Sequence, residues 1–160
     1  MSVIATAALR IIPGLFIANS GIGKIGMPAE MSTGIQEAAA SGIPALKNLP
    51  AEKFGTYLGY AETALGAALL APVVPNWVAG AGLTAFGSGL LTMYFSNPEN
   101  TEEDGIRPSY EGISLAKDSW LVAMGVALLA DGLADKSAKE AKKEAKQAQK
   151  EAKKLIRQNS

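Results

Sequence analysis

Five polar or ionisable residues stand inside or at the margins of long apolar stretches: Asn19, Lys24, Glu62, Lys117 and Asp118. A charged side chain within a membrane span costs about 2.5–3.5 kcal/mol on insertion scales, so each one marks a partnered pair or a functional site. Glu62 is the deepest, near the centre of its segment. An ammonium at matching depth can hold such a carboxylate ionised, and together they can receive the head group of a lipid or a quinone. Counting residues from the segment ends places Asn19, Lys24, Lys117 and Asp118 at compatible depth with Glu62. The same count puts Arg10 and Asp131 at the opposite margin, where they are expected to form a second ion pair. Two readings of the larger cluster stand side by side. It is a set of helix-to-helix ion pairs fixing the register of a bundle, or a polar pocket in which Glu62 accepts a proton.

What is missing narrows the chemistry. The chain has no cysteine and no histidine. It therefore builds no disulfide, thiol relay or iron–sulfur centre, no histidine-ligated haem, zinc or copper, and no Ser-His-Asp triad. No metal site is expected, and no catalytic residue can be named, so the reading leans away from a self-contained enzyme. No phosphate-binding glycine pattern follows a strand, and neither a nucleotide nor a nucleic acid is expected as a ligand.

The segments that must position these residues are all helical in pattern. Between Thr63 and Pro98 there is no Asp, Glu, Lys or Arg, and the middle of that run, Ala71 to Asn76, carries two prolines and reads as a turn. On each side lie about twenty mostly apolar residues, the length needed to cross roughly 30 Å of hydrocarbon. Spans are expected at about 3–24, 54–73, 76–95 and 114–134, making residues 1–134 an all-α bundle of four transmembrane helices. Trp77 and Tyr94 fit aromatic belts at the two interfaces. Glycines 55, 59, 66, 80, 82, 87 and 89 read as faces for close helix packing rather than as ligand sites. The stretch 25–53, punctuated by Pro28, Gly34, Gly42, Pro44 and Pro50, is expected to hold a short helix from Pro28 to Ser41 and to lie on the membrane surface. Residues 96–113 form an acidic connection.

Residues 135–160 differ in kind. They hold nine basic residues, Lys136, Lys139, Lys142, Lys143, Lys146, Lys150, Lys153, Lys154 and Arg157, against four acidic ones, a balance of +5 in a chain whose formal net charge is zero. Ala138, Ala141, Ala145, Ala148, Ala152 and Leu155 repeat at alternating three-four spacing, a weak heptad seam. The tail reads as a basic helix that either stays solvated or rests on anionic lipid. Basic residues directly after a span remain in the cytoplasm. Four crossings then place both termini there and both long connections outside, in a plasma (inner) membrane.

The apolar stretches also resemble a known family. Leu9 to Ile17 with Gly21 to Ile25, the Ser41–Pro44 turn, Tyr60 to Leu70 and Lys117 to Leu121 together look like a DoxX-type integral membrane protein, over roughly Val3 to Ala134. The resemblance implies a four-helix membrane bundle. It also implies a redox context: a subunit of a thiosulfate:quinone oxidoreductase or terminal quinol oxidase, or a partner in an oxidative-stress complex. With no His or Cys, such a role would need a bound quinone or a partner's cofactor. The expectation is then an accessory subunit of a membrane redox or respiratory complex, with a small quinone-binding oxidoreductase subunit, or a scaffold or lipid-binding protein acting through its tail, as the alternatives.

Overall fold

The computed structural model describes residues 1–158, with the side chains of 151–153 and 155–158 outside the description, so Lys153 and Arg157 of the basic tail lie outside the described residues. Six α-helices follow in order: α1 (Val3–Lys24), α2 (Ala29–Gly42), α3 (Ala51–Leu70), α4 (Asn76–Ser96), α5 (Ile113–Ala116) and α6 (Ser119–Gln158). Among the described residues there is no strand, only an isolated bridge between Thr101 and Pro108. Prolines punctuate the chain: α2, α3 and α4 each begin directly after one, at Pro28, Pro50 and Pro75. A proline there suits a helix start, because the N–H it lacks would have had no intrahelical partner. Ser2 caps α1, its hydroxyl accepting the Ala5 N–H at 3.2 Å.

Three helices are long and apolar enough to cross a membrane: α1, α4 and the stretch Ile113–Lys150 that contains the first part of α6. Helix α3 is long enough but less apolar, since Lys53 and Glu62 interrupt it. Its end falls short of the expected span limit at 73 and coincides with the turn expected over Ala71–Asn76. It stops at Leu70, and residues 71–75 make the turn into α4. The fourth segment likewise begins at Ser119 rather than Ser114, because Ile113–Ala116 forms its own short helix before the chain bends at Lys117 and Asp118.

The long helices pack as two close pairs, α1 with α3 and α4 with α6, with far less contact between the pairs. Small residues make each pair possible. A Cβ on Gly21 would come within 2.6 Å of the Gly59 carbonyl oxygen, and one on Gly80 within 2.6 Å of the Gly125 carbonyl oxygen. The two inner helices carry the same device: Gly59-x-x-x-Thr63-Ala64-x-Gly66 in α3 and Gly80-x-x-x-Thr84-Ala85-x-Gly87 in α4. In both, the threonine hydroxyl donates to the glycine carbonyl one turn back, at 2.7 and 2.8 Å. This polar group is thereby satisfied within its own helix while its neighbour approaches. Where the pairs meet, Ile17, Leu69, Leu83 and Leu128, one from each long helix, are buried together.

Helix α2 does not lie apart on a surface. It packs against both α3 and α4, and its Ser32, Gln36 and Ala40 are buried. Ser32 Oγ donates to the Ala51 carbonyl at 2.6 Å and accepts the Gly55 N–H at 2.8 Å. Gln36 Nε2 donates to the carbonyls of Leu46 and Leu49 at 2.9 and 2.6 Å. The last turn of α2 rests on Thr92 and Met93 of α4, which Gly42 allows. Tyr94 is buried too rather than belted at an interface, and its hydroxyl donates to the Ile106 carbonyl at 2.9 Å.

The basic tail is continuous with the last span. Helix α6 runs for 40 residues, about 60 Å, roughly twice the hydrocarbon thickness. It starts its outward course on α4, where the Lys136 ammonium sits 5.7 Å from the Trp77 ring centroid. The first residues of α1 lie at the same end of the bundle, with the Met1 amino group meeting Asp131 Oδ1.

Candidate functional site

A cavity of about 440 Å³ opens between the two helix pairs, beneath α2. Its walls are largely aliphatic and aromatic, with Phe16, Phe54 and Phe86 among them, and its polar groups are Ser20, Lys24, Glu62 and Asp118. A concave apolar site with a few convergent polar groups is the general form of a small-molecule pocket.

The polar end is built by register. Ser20 and Lys24 are four residues apart on α1 and so share one face. The Lys24 ammonium donates to Ser20 Oγ at 2.6 Å and to Glu62 Oε2 at 2.8 Å. Glu62 is 4 % exposed, in the middle of α3. The expected pairing of a deep carboxylate with a lysine thus forms between Lys24 and Glu62. Asp118, at the bend before α6, contributes a second carboxylate from the other helix pair.

Two residues expected in this cluster are elsewhere. Asn19 is exposed and absent from the cavity wall, because successive residues on a helix point about 100° apart and Ser20 already occupies the inward position. Lys117 is exposed as well, and lines a separate hollow with Tyr94, Phe95 and Trp120. Ser20 is the residue that sequence reasoning missed; its spacing of four from Lys24 was the available signal.

The expected Arg10–Asp131 ion pair is also corrected. Arg10 is 8 % exposed and donates five hydrogen bonds, none of them to a carboxylate. Nε reaches the Leu69 carbonyl at 2.8 Å, and Nη2 the carbonyls of Ala68 and Ala71 at 2.9 and 2.7 Å. Nη1 reaches the Val74 carbonyl at 2.8 Å and Asn76 Oδ1 at 2.7 Å. Asn76 Nδ2 in turn donates to Asp131 Oδ2 at 2.9 Å, so the amide stands between the two charges. The guanidinium caps the last turn of α3, whose terminal carbonyls have no intrahelical donor and form the negative end of the helix dipole. This second cluster ties the α3–α4 turn to α1 and α6.

Comparison with known proteins returns no match, whether against protein-family models, curated proteins or solved structures.

Proposed function

We propose that this chain is a DoxX-like integral membrane protein crossing a plasma (inner) membrane four times, with both ends cytoplasmic. It would serve as an accessory subunit of a membrane redox complex and hold a quinone-type amphiphile in the cavity between its helix pairs. The observation that carries this reading is the Lys24–Glu62 pair at the polar end of an otherwise apolar cavity. A neutral carbonyl-bearing ring could accept a hydrogen bond from the ammonium while its apolar tail lies along Phe16, Phe54 and Phe86. The fourth crossing is α3: its charges are either satisfied, as Glu62 is, or near its end, as Glu52 and Lys53 are.

The reading is tested by purifying the protein in mild detergent and extracting what it retains. A quinone should co-purify and be lost from a folded Glu62→Gln variant. Retention of neither a quinone nor redox subunits would overturn it.

A second reading rests on the tail. Lys136, Lys139, Lys143, Lys146 and Lys150 recur at three-four spacing on one side of α6, and all are exposed. This basic stripe would let the tail act as a scaffold or meet anionic lipid near its first turns, where screening is least.

A further inference from the structure

The cavity carries an unbalanced charge. Its ionisable groups are Lys24, Glu62 and Asp118, so once Lys24 and Glu62 have neutralised each other one carboxylate remains. Among the described residues Asp118 forms no salt bridge, and its carboxylate accepts no hydrogen bond. Its position makes this notable. An aspartate immediately before a helix ordinarily turns back to cap the first N–H groups. Here the N–H groups of Leu121 and Val122 go to the Asp118 backbone carbonyl instead, at 3.0 and 3.3 Å, and Asp118 is among the residues that line the cavity. Asp118 is half-buried, so its unpaired carboxylate is only partly solvated beside this apolar enclosure, a cost that a cation would relieve. The same enclosure presents Phe16, Phe54 and Phe86, and aromatic faces attract cations as well as apolar bulk.

We propose that the cavity binds lipophilic monocations, aromatic or alkyl ammonium-type compounds that partition into the membrane, with Asp118 as their counter-ion. The cation's charge lies against the Asp118 carboxylate, which needs no proton transfer and leaves the Lys24–Glu62 pair intact. Its apolar groups fill the space between the helix pairs. This goes beyond the quinone reading, since a neutral ligand has no use for the spare negative charge.

The probes are tetraphenylphosphonium and tetraphenylborate, ions of nearly the same size and shape and of opposite sign. Equilibrium dialysis against the full chain in an uncharged detergent, with empty micelles subtracted, should show saturable uptake of the phosphonium, one per protein, and none of the borate. Asp118→Asn keeps the side chain's shape and removes its charge, and should weaken phosphonium binding at least tenfold. Equal binding of both ions by the unaltered protein would overturn the proposal without recourse to any variant. So would phosphonium binding that is unchanged in a folded Asp118→Asn protein. A neutral quinone analogue run alongside separates the two readings. Quinone binding insensitive to Asp118→Asn, with no phosphonium uptake, keeps the proposed function and removes the cation site.

Discussion

A single side-chain change has its largest expected effect where charge is both buried and compensated. Glu62→Gln removes a carboxylate that is 4 % exposed and leaves the Lys24 ammonium facing an apolar cavity with Ser20 as its remaining partner. Breaking one half of a buried pair commonly costs about 3–5 kcal/mol. Glu62→Gln should therefore lower the unfolding midpoint in detergent, and adding Lys24→Met should restore part of the loss, because no lone charge is then left behind. If the double variant were less stable than either single one, the pair would owe nothing to mutual compensation. Arg10 is the harder case to replace. A lysine keeps its charge but offers three donors to five acceptors. Each buried acceptor left unpaired costs on the order of 1–3 kcal/mol, so Arg10→Lys should destabilise the chain clearly, as read by thermal unfolding in detergent. The sequence reveals these two sites unequally. Glu62 was legible as an isolated deep charge in need of a lysine, but depth alone left that lysine open between Lys24 and Lys117. The role of Arg10 was not legible, since its acceptors are backbone carbonyls, which leave no mark in an amino-acid sequence. Depth without azimuth explains the rest: Asn19 and Lys117 have suitable depth and the wrong face.

Among elements, the helix pairs depend on bare backbone at a few crossings. Gly21 and Gly23 offer a controlled comparison on α1. A Cβ at Gly23 meets nothing within 4 Å, whereas one at Gly21 comes within 2.6 Å of both the Gly59 carbonyl and the Thr63 N–H. In a helix interior alanine is favoured over glycine by about 1 kcal/mol. Gly23→Ala should accordingly be neutral or mildly stabilising. Gly21→Ala must push α1 from α3 and should lose about 1–3 kcal/mol, the usual cost of overpacking. Thermal melts of the two variants in one detergent check this, and similar midpoints would mean the α1–α3 contact is not tight. The acidic connection offers a pH test. The Asp104 carboxylate accepts from the Arg107 side chain and from the backbone N–H groups of Arg107 and Ile106, which lowers its pKa from 3.8 to about 2. A depressed carboxylate contributes order above its unfolded pKa and loses it as pH falls through the folded one. The turn should thus hold at pH 4 and open towards pH 2, visible in the chemical shifts of Asp104 and Arg107; titration near pH 4 would contradict the geometry. At this scale, apolar length and proline punctuation placed α1 and α4 to within a residue. The two prolines also placed the turn at Ala71–Asn76, whereas apolar length alone carried the second span on to 73, because Ala71 to Val74 is as apolar as the helix before it. Neither signal foresaw that α2 docks onto the bundle, because its buried face is made of Ser32, Gln36 and Ala40 rather than of large apolar side chains.

For the whole molecule, the decisive question is how many times the chain crosses the bilayer. The start of α1, the end of α3, the start of α4 and the Asp131 region of α6 all gather at one end, through Arg10, Asn76 and Asp131. In a bundle so connected, α1, α3, α4 and α6 alternate in direction, and three of those segments have the length and apolarity of spans. If the bundle stands upright in the bilayer, α3 crosses with the others despite its lower apolarity, because its deepest charge is already paired inside the protein. Three crossings would instead put the basic tail and the first residues of α1 on opposite sides of the bilayer, although both start from one end of the bundle. Single cysteines distinguish the two, in a chain that has none of its own. Exposed positions serve best: Glu37 in α2, Glu103 in the acidic connection and Lys146 in the tail. In sealed right-side-out vesicles, an impermeant maleimide should label cysteines at 37 and 103 and spare the one at 146 until the membrane is opened. The proposed orientation puts the tail in the cytoplasm, the side that its nine basic residues favour. Labelling at 146 in intact vesicles would invert the orientation, and labelling at only one of 37 and 103 would mean that α3 does not cross.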